Sequence, residues 1–600
     1  MARKSTAVIQ PNLGLYYDRS PLAMSPRMLQ DGLNFRVILG KLSNLNLGWS
    51  RFGTFTLNGP VVFVQSFTVT GGTEQLVFAT YTDIYKYVSN TSVVYLTPRY
   101  DTGTVSRSGN AVIGVGTAFA SNARNGDQIH FGDAAYTDPN GTWDTITNIT
   151  DDTHLTTTGS GTVASGPYTI RKLFTGSLLN VWQSDVFVNA SPSGRNELWM
   201  TNGLDSIIRW DGAATQVELM SSTLGFTAKA LRVYSNMMLF ANVTQSGTSK
   251  VTDLINSDVG QPQNAGSAST GVSQQFKVHA GTDEILRLEP LGDNLVIYSA
   301  NNRITLSQFV GSPLFFIFRQ VSSNIGIVAP NALVNFGTYH EFVGVASEYY
   351  FDGAAIKPIN THVWREILRQ QDPARITYTM AIMDQQNGDI IWAVPLTSDA
   401  SLSFGANTAY SEHYLEDPGQ SFGTPYSKRQ FPFMSAGKFN RQTGLTWDQI
   451  GSQWQNTNFR WNDRFFAASF PLILVGDSTG KLYSVNVSQA ADGAALNSYV
   501  TFGRRAMFDG RIRGLLTRVY PFATPFVSNV NVTVRLADSA NGVPITTDTQ
   551  SFDQSQPEGG HFTIHYRRGR FFEVQFGTNG TNLPWEILGY DTDVRPGGRR

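Results

Sequence analysis

Leu472-Ile473-Leu474-Val475-Gly476-Asp477-Ser478-Thr479-Gly480-Lys481-Leu482-Tyr483-Ser484-Val485 reads as one β-hairpin. Four apolar residues in a row suit a strand buried on both faces. The Gly/Asp/Ser/Thr/Gly cluster supplies the positive-φ positions of a turn, and an aromatic-bearing strand returns. The same pattern recurs along the chain. Leu76-Val77-Phe78-Ala79 leads to Ile84-Tyr85-Lys86-Tyr87, and Glu197-Leu198-Trp199-Met200 leads to Ile207-Ile208-Arg209-Trp210. Leu295-Val296-Ile297-Tyr298 leads to Ile304-Thr305-Leu306, and Glu341-Phe342-Val343-Gly344-Val345 leads to Tyr349-Tyr350-Phe351. Weaker copies sit at Met237-Met238-Leu239-Phe240 and Ile390-Ile391-Trp392-Ala393. Successive copies lie mostly about 40–55 residues apart, the length of a four-stranded propeller blade. The expected class is therefore all-β: an irregular β-propeller with an inserted small β-domain and a C-terminal β-sandwich-like unit. Unrelated hairpins in stacked sandwiches are the alternative.

Composition bounds the rest. The chain has 600 residues, 56 of them Gly, with 12% aromatic and only 15% charged residues. That length implies two to four domains, and so few charges suggest surface buried against partners. With no Cys, disulfides and thiolate chemistry are excluded. No secretory signal and no 18-residue apolar run is visible, so neither export nor a membrane span is expected. A net charge of -1 argues against a surface that grips nucleic acid throughout.

In chain order, residues 1–60 read as an irregular, extended platform segment. Residues 61–101 and 172–500 read as the split propeller. Residues 102–171, Thr/Gly-rich with their own turns, read as an inserted small barrel or sandwich, with Phe131 and Trp143 in its core. The alternative is a decorated blade loop. Residues 360–371 read as an amphipathic helix capped by Asn360 or Thr361, with Val363, Trp364, Ile367 and Leu368 inward. Stretches 245–280 and 400–435 read as long loops. Trp447, Trp454 and Trp461 read as a curled aromatic segment. Residues 501–600 read as a separate, sandwich-like β-domain, because Val530-Asn531-Val532-Thr533-Val534 alternates as half-buried strands do.

Little points to catalysis. Gly476-Asp477-Ser478-Thr479-Gly480 matches the nucleophile-elbow pattern, but that elbow must run from strand into helix, and here a strand follows. His561 and His565 fall on one strand face without an acidic third ligand, which reads as two solvated histidines rather than a metal pair. No catalytic residue, metal or cofactor is expected. Basic residues cluster at Arg504, Arg505, Arg511, Arg513, Arg567, Arg568 and Arg570. They read as charged strand edges, as contacts to a neighbouring subunit or adaptor ring, or as contacts to DNA phosphates.

The N-terminal run Asn34-Phe35-Arg36-Val37, Gly40-Lys41-Leu42 and Gly48-Trp49, followed by propeller-like hairpins, resembles the tail nozzle (tail tubular protein B, or tail hub) proteins of short-tailed bacteriophages. Asn34, Arg36, Gly40 and Leu42 fall on that pattern, while Asn44-Leu45-Asn46 stands where the family carries a basic pair. The Trp-rich run and the Arg-Pro-Gly-Gly-Arg-Arg ending are similar too. The resemblance implies a structural virion protein, not an enzyme, assembled in the host cytoplasm as a homohexameric ring. Its partners would be a portal–adaptor ring protein, tail fibres or spikes, and dsDNA in transit without sequence specificity. Residues 501–600 would be its docking platform, and the Gly/Ser/Gln-rich loops would gate the bore. The alternative is an extracellular propeller that binds or hydrolyses glycans.

Overall fold

The computed structural model describes residues 4–5, 8–9, 12–20, 23–132, 143–177, 180–269, 271–300, 302–311, 314–399, 406–416, 423–440, 471–555 and 562–596. Its largest part is a series of seven antiparallel meanders. Their second strands are Glu74–Ala79, Arg195–Thr201, Met237–Gln245, Asn294–Ser299, His340–Val343, Asp389–Ala393 and Leu472–Gly476. These are the apolar runs singled out in the sequence. Each is buried over most of its length because it has a strand on either side and another meander on each face. The all-β reading therefore holds.

The cores lie between consecutive meanders. One joins Phe187 and Trp199 of the second to Leu231 and Phe240 of the third; another joins Met237 and Leu254 of the third to Leu288 and Leu295 of the fourth. Leu472 and Leu474 of the seventh pack with Val64, Leu76 and Phe78 of the first. The fourth strand of the seventh meander is not local: Gly48–Arg51 pairs with Leu482–Ser488, with Arg51 opposite Tyr483. Gly437 in the seventh meander's first strand faces the Val64 carbonyl in the first meander's first strand, closely enough that a Cβ there would collide with it.

Two further sheets lie outside the meanders. In one, Glu586–Pro596 and Gly514–Ala523 are central, flanked by Thr563–Gly569 and by the N-terminal hairpin Arg36–Ile38/Lys41–Ser43. In the other, Leu29–Leu33 pairs with Leu496–Phe502, which continues through Phe571–Gly580 and Asn529–Ala537 to Thr546–Asp553. Val530, Val532 and Val534 alternate inward as expected, and Phe502 and Phe576 pack on Tyr590 across the two sheets. The N-terminal segment is thus strand-bearing rather than irregular. Its apolar residues Leu29, Val37 and Leu42 complete the core of the C-terminal sheets.

Three expectations are corrected. Stretches 245–280 and 400–435 hold strands, Thr248–Asp258 and Gln261–Ala265 in the third meander and Ala406–His413 and Tyr426–Phe433 in the sixth. Their Ser, Thr and Asn side chains are hydrogen-bonded inside the sheets, as Asn256 is to the Val272 carbonyl, so polarity did not mark loops here. In residues 102–171, a six-stranded sheet with Arg99–Tyr100 surrounds a core of Val105, Phe119, Ile129 and Tyr168, against which Phe131 packs. Trp143 instead leans on the core between the seventh and first meanders and covers the buried Arg171 guanidinium at 4.4 Å. The helix, Thr361–Gln370, forms as expected, with Val363, Trp364 and Ile367 buried. Asn360 precedes it with φ 50° but caps nothing with its side chain. Among the described residues no helix is long and apolar enough to cross a membrane. Trp447, Trp454 and Trp461 lie outside the described residues.

Candidate functional site

Two residues of the N-terminal motif, Asn34 and Arg36, lie at the joint between the sixth meander and the C-terminal sheets, and Gly40 and Leu42 belong to the hairpin beside it. Asn34 sits at φ 51°, a conformation its short polar side chain tolerates. Its Nδ2 donates to the Asn497 carbonyl at 2.7 Å, and its Oδ1 accepts from Gln430 N at 2.9 Å. One side chain thereby satisfies backbone groups of both units. Arg36 Nε donates to Asp389 Oδ2 at 2.7 Å, and His413 Nδ1 lies 2.7 Å from the other oxygen. Burial pushes the Asp389 carboxyl up, but the charges of Arg36 and His413 outweigh it and hold it below its ordinary value. Gly40, at φ 75°, follows Leu39 in the two-residue turn between Arg36–Ile38 and Lys41–Ser43, where both positions require positive φ. Leu42 is fully buried opposite Ile587.

The seven predicted arginines divide by environment. Arg504 is buried and donates to the Ala540 and Gly542 carbonyls, each at 2.8 Å, holding a loop in place. Arg505 is half-buried in the two-residue strand Arg505–Ala506 against Phe571–Gly580. Arg513 pairs with Asp538, and Arg567 with Asp548 at 3.2 Å. Arg511, Arg568 and Arg570 are exposed and form no ion pair among the described residues. Arg568 and Arg595 flank Leu515 on adjacent strands, so the free cations gather at one end of the sheet. Arg504→Ala is expected to cost about 1.5–3 kcal/mol, the range for hydrogen bonds to a charged group. Arg568→Ala is expected to stay within about 0.5 kcal/mol of the wild type. Urea unfolding of the two variants checks both.

A cavity of about 240 Å³ is lined by the first strands of all seven meanders, among them Val64, Gln183, Arg232, Arg287, Leu333 and Ala436. Its two cations are balanced by the buried Glu289, 2.7 Å from Arg232 and 2.8 Å from Arg287, together with Asp185, 3.4 Å from Arg232. Burial pushes that carboxyl up, but the two guanidiniums outweigh it and hold it below its ordinary value. Such a cavity has no room for a duplex whose major groove alone is about 12 Å wide.

Elsewhere, the residues matching the nucleophile-elbow pattern form a hairpin turn. Asp477 Oδ1 accepts from Thr479 N and Lys481 N at 2.9 and 2.8 Å, and Ser478 is exposed. His565 is not solvated: it is buried between Asp548, at 2.9 Å, and Thr563, at 2.8 Å, while His561 lies outside the described residues. Sequence reasoning missed a group of three carboxylates. Glu341, Glu348 and Glu412 are buried together between the fifth and sixth meanders and could hold a metal ion. Burial, then Glu412, pushes the Glu341 carboxyl up to about 9, and burial pushes Glu348 well up. The available signal was Glu341 and Glu348 bracketing the apolar run of one hairpin, while Glu412 stands in a strand that also carries Asn, Thr, Ser and His.

No family model matches the chain, and no curated protein matches it. Among solved structures, the chain is similar to the computationally designed Ika8 protein at 10% identity and a TM-score of 0.31, covering 73% of this chain and 99% of that one.

Proposed function

We propose that the seven meanders close into a β-propeller around the 240 Å³ cavity, with residues 102–171 inserted and the two remaining sheets stacked as a sandwich-like unit. In this reading the protein is the tail-nozzle subunit of a short-tailed phage virion, a homohexameric ring that retains and passes dsDNA. It docks to a portal–adaptor ring and to tail fibres. The observation that carries the reading is the joint at Asn34 and Arg36, two residues on the nozzle-family pattern that bond the N-terminal strands and the C-terminal sheets to the sixth meander. DNA passes between subunits, along the ring axis, since the cavity within one chain is too small. A near-neutral surface lets the duplex slide rather than bind. The exposed, unpaired Arg511, Arg568 and Arg570 supply ring or adaptor contacts.

The mass of the purified chain, alone and mixed with a portal–adaptor complex, tests this reading. A hexamer in either condition is expected. Arg568→Ala combined with Arg570→Ala is expected to weaken ring formation, and rising salt to weaken it further, as exposed charges are screened. A strict monomer in both conditions overturns the reading. It would return attention to the glycan-binding or glycosidase alternative, which the arginine-lined cavity does not favour.

A further inference from the structure

Between the fifth and sixth meanders the chain buries more negative charge than it neutralises. Glu341 lies in His340–Val343, Glu348 opens Glu348–Phe351, and Glu412 lies in Ala406–His413; they are 8%, 0% and 1% exposed. One oxygen of each lies within 4.8 Å of one from the others. Every donor the structure gives them is neutral. Asn360 Nδ2 donates to Glu348 Oε2 and Glu412 Oε1, both at 2.8 Å. The Tyr426 hydroxyl lies 2.8 Å from Glu348 Oε2 and 3.0 Å from Glu412 Oε2, and Trp392 Nε1 reaches Glu412 Oε2 at 3.3 Å. No Lys, Arg or His forms an ion pair with the three among the described residues. Two buried oxygens, Glu341 Oε2 and Glu348 Oε1, have no hydrogen-bond partner. Unpartnered anionic oxygens this deep are costly unless a cation or protons compensate them.

We propose that Glu341, Glu348 and Glu412 bind a hard divalent cation of the calcium type. The ligands are all oxygens, which selects against the softer metals that prefer nitrogen and sulfur. Oxygens within 4.8 Å of one another can be spanned by Ca²⁺–O bonds of about 2.3–2.6 Å. Orphaned oxygens from two of the carboxylates are available for the ion without giving up a bond to the protein. The ion would tie the fifth meander's central hairpin to the third strand of the sixth. Through Asn360 and Tyr426 it would also brace the start of the helix Thr361–Gln370.

The test uses the full chain, stripped with EDTA and dialysed, then titrated with CaCl₂ and, separately, MgCl₂. Native mass spectrometry is expected to find one Ca²⁺ per chain. Melting is expected to rise by at least about 3 °C at saturating Ca²⁺, as binding to the folded state alone requires. In Glu348→Gln both responses are expected to vanish. If that variant does not fold, Glu341→Gln, at the most exposed of the three positions, is read instead. The proposal is overturned if the stripped wild type neither retains nor gains an ion at millimolar Ca²⁺. It is also overturned if a Ca²⁺-induced rise persists unchanged in Glu348→Gln, or if that variant melts like the wild type with no ion bound to either. The last result would assign the charge balance to shared protons.

Discussion

Arg36→Ala is expected to destabilise the protein by about 3–5 kcal/mol, the range for removing one partner of a buried ion pair, with His413 left as the remaining charged neighbour of Asp389. Arg36 and Asp389 are 3% and 1% exposed, so water cannot replace the missing guanidinium. The effect has a definite pH dependence. The folded-state value of Asp389 lies below its ordinary 3.8. Its contribution to stability is therefore fully present above the unfolded-state value and is lost as pH falls through the folded-state value. The gap between wild type and Arg36→Ala should be widest above the unfolded-state value and shrink as pH falls through the folded-state value, where a protonated Asp389 no longer needs the cation. Denaturant unfolding at a series of pH values measures it. A constant gap would mean that the loss comes from packing alone.

The second large effect is at the seam between the first and last meanders. Gly437→Ala drives a methyl group into the Val64 carbonyl, where neither backbone can yield without moving a strand. Ser435 Oγ, two residues away, donates to the Val61 carbonyl at 2.7 Å, so the same shift loosens a hydrogen bond. The expected loss is at the upper end of the roughly 1–3 kcal/mol range for overpacking. Limited proteolysis is expected to cut first near this seam. Unchanged melting and unchanged cleavage would show that the two strands are free to separate.

What was legible in the sequence follows from where burial is two-sided. Leu472-Ile473-Leu474-Val475 and its six counterparts stand between strands and between meanders, so their apolar runs survive in the sequence as a repeat. The first strands carry no such signature. Gln183-Ser184 and Ser435-Ala436 face the cavity and are mixed in character. Strands at 245–280 and 400–435 were hidden because their buried Asn and Ser side chains bond within the fold, as Asn256 does. The partners of Asn34 and Arg36 lie hundreds of positions away, beyond any local pattern. Arg504 was grouped with exposed arginines because its partners are main-chain carbonyls and the distant Glu573, which no side-chain spacing reveals. The three glutamates were equally invisible as a group, since only folding brings Glu412 beside Glu341 and Glu348.

The pairing of Gly48–Arg51 with Leu482–Ser488 also sets a timetable for biosynthesis. Gly48–Arg51 leaves the ribosome about 430 residues ahead of its partner. At about 5–20 residues per second, that delay is tens of seconds. Until then, Gly48–Arg51 has no ladder partner, Leu29–Leu33 has no Leu496–Phe502 beside it, and the growing chain exposes open edges that can recruit other copies. Closure of this seam therefore waits for Leu482–Ser488 and is concentration-sensitive until then, and chains truncated before residue 482 cannot reach it.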